Sequence, residues 1–252
     1  MSQAADPVDQ PTPLWLELPP SSSSGPRRLI IFLHGAGSSP EALAPAAVAW
    51  MLKFPGATGA IMQGLRACPQ GGSDWYQTAR DREETLRGLR AAGAELAHRI
   101  ASLQQDHGLD GSSTILVGFA QGATLALEVA RRYGERVAIV VASSGRMMPL
   151  LAGDETLRPT IHLIHGLLDT VTPVAHAQQA YGRLKASGAS VTLDLIEDLG
   201  HSISQDVIIV GTTRALQTIF RGRGIKMQRN IRAADSSGLS MTATVQHQGA
   251  QQ

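Results

Sequence analysis

Five short stretches combine residue types that could do chemistry: His34-Gly35-Ala36-Gly37, Gly71-Gly72-Ser73-Asp74-Trp75, Gly118-Phe119-Ala120-Gln121-Gly122, His165-Gly166-Leu167-Leu168-Asp169 and Asp198-Leu199-Gly200-His201. The third joins the strand-like run Thr114 to Gly118 directly to the helix-favouring Ala123-Thr124-Leu125-Ala126-Leu127-Glu128. Glycines flanking so abrupt a strand-to-helix turn let the middle side chain project above a sheet, which is how a nucleophile is presented for acyl transfer. The middle residue here is Ala120, whose methyl group cannot attack. Asp169 and His201 follow in chain order. A carboxylate can fix an imidazole in one tautomer, and that imidazole can then take the proton of a nucleophile.

Residues so far apart meet only if each sits at the end of an element that returns to the same edge. The apolar run Leu29 to Leu33 lacks alternation, as expected of a strand buried on both faces, and similar runs recur at Ala60 to Met62, Thr114 to Phe119, Val137 to Ala142, Thr160 to Ile164 and Val191 to Ile196. Helical patterns lie between several of them. Leu86, Leu89, Gly93, Leu96, Ile100 and Leu103 make one apolar stripe, and Ala120 to Tyr133, Val174 to Ser187 and Gln205 to Phe220 read as further helices. Alternating strands and helices predict a mostly parallel central sheet with helices on both faces. In such sheets ligands gather at the carboxyl ends of the strands, where these motifs fall.

The chain has 252 residues, 43% hydrophobic and 17% charged, with Lys+Arg 22 against Asp+Glu 21. That length suits one domain with its own core. We expect residues 1–13 to be disordered, residues 14–220 to form the α/β domain with Leu14 to Leu18 as an edge strand, and residues 221–252 to be a disordered polar and basic tail. The formal charge of +1 speaks against bulk electrostatic binding of nucleic acid. No run approaches the ~18 apolar residues of a membrane span. Asp6 and Asp9 precede the first basic residue, Arg27, unlike a secretory signal, so a cytoplasmic location is expected.

Taken together, Phe32-Leu33-His34-Gly35-Ala36-Gly37, Gly118-Phe119-Ala120-Gln121-Gly122-Ala123, His165-Gly166-Leu167-Leu168-Asp169-Thr170-Val171-Thr172-Pro173 and Leu199-Gly200-His201 resemble the phospholipase/carboxylesterase family of α/β-hydrolases, which includes acyl-protein thioesterases. The resemblance runs from about Leu14 to Phe220. It implies an α/β-hydrolase fold and a serine esterase or thioesterase, with lysophospholipids among the substrate classes and no cofactor. Position by position it places Ala120 where the nucleophilic serine would be, Asp169 as the triad acid and His201 as the general base. Ala36 and Gln121 would supply the backbone N–H groups of an oxyanion hole, and Trp75 would line the acyl groove beside His34. The implied partner is a small-molecule ester or thioester, with a homodimer allowed. With alanine at position 120 the chain is expected to be inactive or nearly so. The alternative is a hydrolase-fold protein that binds an acyl or ester ligand without turning it over.

Blander readings compete at several positions. His34 can equally be structural, orienting the loop after its strand by hydrogen bonds. Trp75 and Tyr76 can be core aromatics. Asp194, Glu197 and Asp198 are other acids near His201. Cys68, Ser38, Ser39, Ser143 and Ser144 are other nucleophile types, but none occupies the glycine-flanked turn. His162 and His165 have a metal-like spacing, yet residues three apart on a strand face opposite ways, and no metal is expected. The basic residues after Arg214 suit a solvated helix end better than a polyanion site.

Overall fold

The computed structural model describes residues 13–17, 27–68, 71–149 and 157–236, with side chains described as far as Arg221. The expected runs are strands: the edge patch is β1 (Leu14–Glu17), and the others are β2 (Leu29–Leu33), β3 (Thr58–Met62), β6 (Thr114–Phe119), β7 (Ile139–Ser143), β8 (Thr160–Gly166) and β9 (Val191–Ile196). They form one sheet in the order β1-β3-β2-β6-β7-β8-β9. Only β1 is antiparallel to its neighbour; the other pairings are parallel, with Leu29 opposite both Thr58 and Thr114. A two-stranded hairpin, β4 (Arg66–Ala67) with β5 (Ser73–Asp74), stands apart from this sheet.

The helices are α1 (Pro40–Met51), α2 (Arg82–His107), α3 (Gln121–Arg132), α4 (Ala175–Ala186) and α5 (Gln205–Ser236), of which α1 to α4 and residues 205–215 of α5 cover the sheet's faces. Side chains alternate along each strand. Leu29, Ile31, Leu33, Leu116, Val140, Ile161 and Leu163 therefore pack with Leu89, Leu96 and Ile100 of α2, Leu125 and Val129 of α3 and Leu184 of α4. On the opposite face Phe32 meets Trp50 of α1 edge-on at 6.3 Å, and a side chain at Gly211 of α5 would collide with Trp50. The chain divides into two units, residues 1–215 and 216–252.

Two sequence expectations change. Helix α1 was not expected, because its alanines and Pro45 break the amphipathic signal. Pro40 nevertheless sits at the first helical position, where its missing N–H costs nothing, and the Ser39 hydroxyl accepts the Ala42 N–H at 3.3 Å. The tail expected to start unstructured at Arg221 is helical to Ser236, since Arg, Ile, Lys, Met and Gln outweigh Gly222 and Gly224. Residues 237–252, like the N-terminal segment 1–12, lie outside the described residues.

Candidate active site

Strand β6 stops at Phe119 and α3 starts at Gln121, so the turn between them consists of Ala120 alone, at φ 52° and ψ −111°. Positive φ is costly for a residue with a β-carbon, about 1–3 kcal/mol, and persists only where the surroundings impose it. They do so from both sides: the Ala120 N–H donates to Ser143 O at 2.9 Å, and Ala120 O accepts the Thr124 N–H at 3.1 Å and its hydroxyl at 3.2 Å. Gly122 lets α3 press against the end of β2. A β-carbon there would lie 2.5 Å from Leu33 O and 2.6 Å from His34 O, both backbone atoms. Gly122→Ala should therefore destabilise the fold by about 1–3 kcal/mol, measured as a lower urea midpoint; an unchanged midpoint would contradict this packing.

His201 lies in the loop after β9, half-buried, with its ring 5.0 Å from that of Phe119. Its Nδ1 is 3.0 Å from Asp169 Oδ1 and 2.9 Å from Oδ2. The Asp169 side chain has no exposed surface. Its Oδ1 accepts the N–H groups of Val171 at 3.0 Å and Thr172 at 2.8 Å. Burial opposes ionisation of this carboxyl, but hydrogen bonds from the Thr172 N–H, His201 and Ser144 outweigh it and hold the group below the usual carboxylate range. An ionised Asp169 keeps the imidazole proton on Nδ1 and leaves Nε2 free to accept one.

The other acids near His201 are engaged elsewhere or outside. Asp194 pairs with Arg214 at 2.6 Å, and Glu197 and Asp198 are exposed. His162 bonds the Thr192 hydroxyl at 2.8 Å, while His165 bonds Thr172 O at 2.7 Å, so the two point apart. Among the described residues no group of three or more His, Cys, Asp or Glu is placed to hold a metal, and no helix is long and apolar enough to cross a membrane.

Ala36 is exposed at the end of β2, and Gln121 is the first residue of α3, where a backbone N–H has no partner within the helix. Both line one open cleft of about 620 Å³ with Ala120 and His201. His34 and Trp75 do not line it. His34 is 1% exposed; its Nε2 accepts the Gly64 N–H at 3.2 Å, which puts the ring proton on Nδ1, against Gly35 O at 2.7 Å. Burial lowers its pKa and keeps that tautomer neutral. Trp75 is also 1% exposed and donates its indole N–H to His34 O at 2.8 Å. Both expectations of substrate contact are thus corrected: these side chains turn inward because each has a buried polar group that the loop satisfies, and they shape that loop from behind.

Three residues carry roles that the sequence did not reveal. The Gln121 side chain accepts the Trp75 N–H at 2.7 Å and donates to Tyr76 O at 3.0 Å, tying the loop after β5 to α3. Asp74 accepts the Gly37 N–H at 2.8 Å. Ser144, at φ 54°, reaches Asp169 from the end of β7. Strand order would have flagged Ser144, since β7 lies between the strands that end at Ala120 and lead to Asp169. Tyr76 lines the cleft, and burial pushes its phenol up to about 12, so it stays a neutral donor.

A mostly parallel sheet with a strained strand-to-helix turn and a carboxylate-held histidine at its carboxyl edge defines an α/β-hydrolase. Within that class the chain belongs to the phospholipase/carboxylesterase family, whose model matches residues 20–210. It is 33% identical to the esterase YpfH of Escherichia coli K12 over 181 residues, 70% of this chain and 77% of that protein. The crystal structure of esterase PE8 superposes with a TM-score of 0.71 at 29% identity, covering 83% of this chain and 99% of its own. The Bacillus cereus carboxylesterase shares the fold, with a TM-score of 0.69 at 15% identity over 82% of this chain and 93% of its own.

Proposed function

We propose that this is a carboxylic-ester or thioester hydrolase scaffold built for acyl-enzyme chemistry, in which Ala120 occupies the nucleophile's position. With serine at 120, His201 Nε2 takes the hydroxyl proton as the oxygen attacks the ester carbonyl. The N–H groups of Ala36 and Gln121 hold the charge that develops on the carbonyl oxygen, and the protonated imidazole returns the proton to the departing alcohol or thiol. Water then repeats the sequence to release the acid. With alanine the first bond cannot form, so the chain binds an ester and turns it over slowly or not at all.

The observation that carries this reading is that the Asp169-held imidazole and the strained turn at Ala120 open on one cleft. A binding protein has no need of a buried, ionised carboxylate that orients a base. The test is labelling by a fluorophosphonate probe: Ala120→Ser should be labelled, the unaltered chain should not, and Ala120→Ser with His201→Ala should lose most of the label. A folded Ala120→Ser protein that stays unlabelled refutes the assignment.

A further inference from the structure

The wall of the cleft opposite in chemistry to its catalytic edge is cationic. Arg80, Arg82 and Arg146 all line it, and no lining residue is acidic. Asp169 contributes no exposed carboxylate, because its side chain is wholly buried behind His201. The three arginines come from two separate segments: Arg80 and Arg82 flank the helix-capping Asp81 at the start of α2, and Arg146 follows β7, its backbone N–H donating to the Thr124 hydroxyl at 3.0 Å. Elsewhere Arg99, Arg131, Arg132, Arg136 and Arg214 pair with carboxylates. Arg80, Arg82 and Arg146 have no carboxylate within 4.0 Å among the described residues. All three are exposed. In a chain with a net charge of only +1, the cleft is thus lined by three arginines and no carboxylate.

A cleft lined by one sign of charge between low-dielectric walls focuses its field on the ligand. Guanidinium groups in particular match the paired oxygens of carboxylates and phosphates. Beside them the exposed Thr78 adds a hydroxyl group to the same cleft. Apolar side chains such as Phe119, Met148 and Val171 line the rest of the cleft, so the guanidinium groups are the feature that would select among esters by charge. We infer that the cleft selects esters that carry a second, anionic group, a carboxylate or phosphate, which Arg80, Arg82 and Arg146 hold while the ester carbonyl lies at Ala120. This inference names the substrate class of the hydrolase reading above and rests on it.

The experiment uses the unaltered chain, whose alanine lets esters be titrated without consumption. Calorimetry would compare three charged and neutral pairs: monoethyl glutarate with ethyl glutaramate, 4-acetoxybenzoate with 4-acetoxybenzamide, and acetylglycerol phosphate with acetylglycerol. The first pair puts a carboxylate on the acyl side, the second on the alcohol side, and the third replaces it by phosphate. In at least one pair the anion should bind about tenfold more tightly, the scale of one charge-assisted hydrogen bond. That ratio should shrink towards one in roughly 0.5 M NaCl and in the triple variant Arg80→Gln, Arg82→Gln, Arg146→Gln. Binding within about twofold in every pair, or none at all, overturns the inference. Fluorophosphonate labelling of Ala120→Ser decides the hydrolase reading separately: labelling without an anion preference sinks only the substrate class, whereas a preference without labelling leaves an anion-binding cleft and sinks the chemistry.

Discussion

Ala120→Ser is expected to raise turnover of a short p-nitrophenyl ester by up to about 10⁶-fold, the scale on which removing a serine nucleophile usually lowers kcat. So large a gain depends on how little else has to change. The backbone of residue 120 already holds φ 52° and ψ −111°, fixed by hydrogen bonds to Ser143 O and from Thr124 that do not involve its side chain. One oxygen added to the methyl group enters the open cleft that His201 lines. The base needs no rebuilding, because Asp169 is ionised and in contact with Nδ1. The backbone strain at Ala120 serves no packing purpose that glycine would not serve at lower cost, which fits the proposed role of position 120 in presenting a side chain. The comparison is kcat of the two proteins at equal folded concentration. A serine protein with native circular dichroism and an unchanged rate would show that the turn, the base and the oxyanion donors do not converge on a bound ester.

Most parallel strands were legible in the sequence because they are buried on both faces, which leaves runs such as Leu29 to Leu33 without a polar residue, whereas β9 at the sheet's edge is only partly buried and carries Thr192 and Asp194. The expected end of β8 at Ile164 fell short of Gly166 because the last inward residue is His165, polar by type and yet 1% exposed, with its ring nitrogen against Thr172 O. Ala120, Asp169 and His201 were legible for a different reason. Their residue types and chain order are tied to strand ends, so topology alone brings them to one edge. The supporting contacts follow no such rule. Gln121 and Trp75 are 46 residues apart, and Gly37 and Asp74 are 37 apart; both pairs join loops whose approach depends on tertiary packing. Trp75 shows the cost of reading type without direction. An aromatic after Gly71-Gly72 looks available to a ligand, and only the folded chain reveals that its indole N–H is spent on His34 O.

In the serine form, Asp169→Asn should lower kcat by about 10⁴ while leaving KM within a few fold, because the imidazole would hold its proton on the wrong nitrogen. The geometry decides which way the new amide faces. Oδ1 accepts two backbone N–H groups, from Val171 at 3.0 Å and Thr172 at 2.8 Å, so the amide oxygen must stay there. The NH₂ then takes the place of Oδ2, 2.9 Å from His201 Nδ1. Oδ1 is also 3.0 Å from Nδ1 but is already taken by the two backbone N–H groups, and two donors cannot face each other, so Nδ1 gives up its proton to accept from the amide, and the proton moves to Nε2. That nitrogen can no longer take one from the introduced serine hydroxyl. The same NH₂ would also confront His165 Nε2, 3.4 Å from Oδ2 and already donating to Thr172 O, so the variant should lose some stability as well as its rate. Steady-state kinetics of the Ala120→Ser protein with and without Asp169→Asn tests this directly. A loss smaller than about tenfold would mean that a different group orients His201.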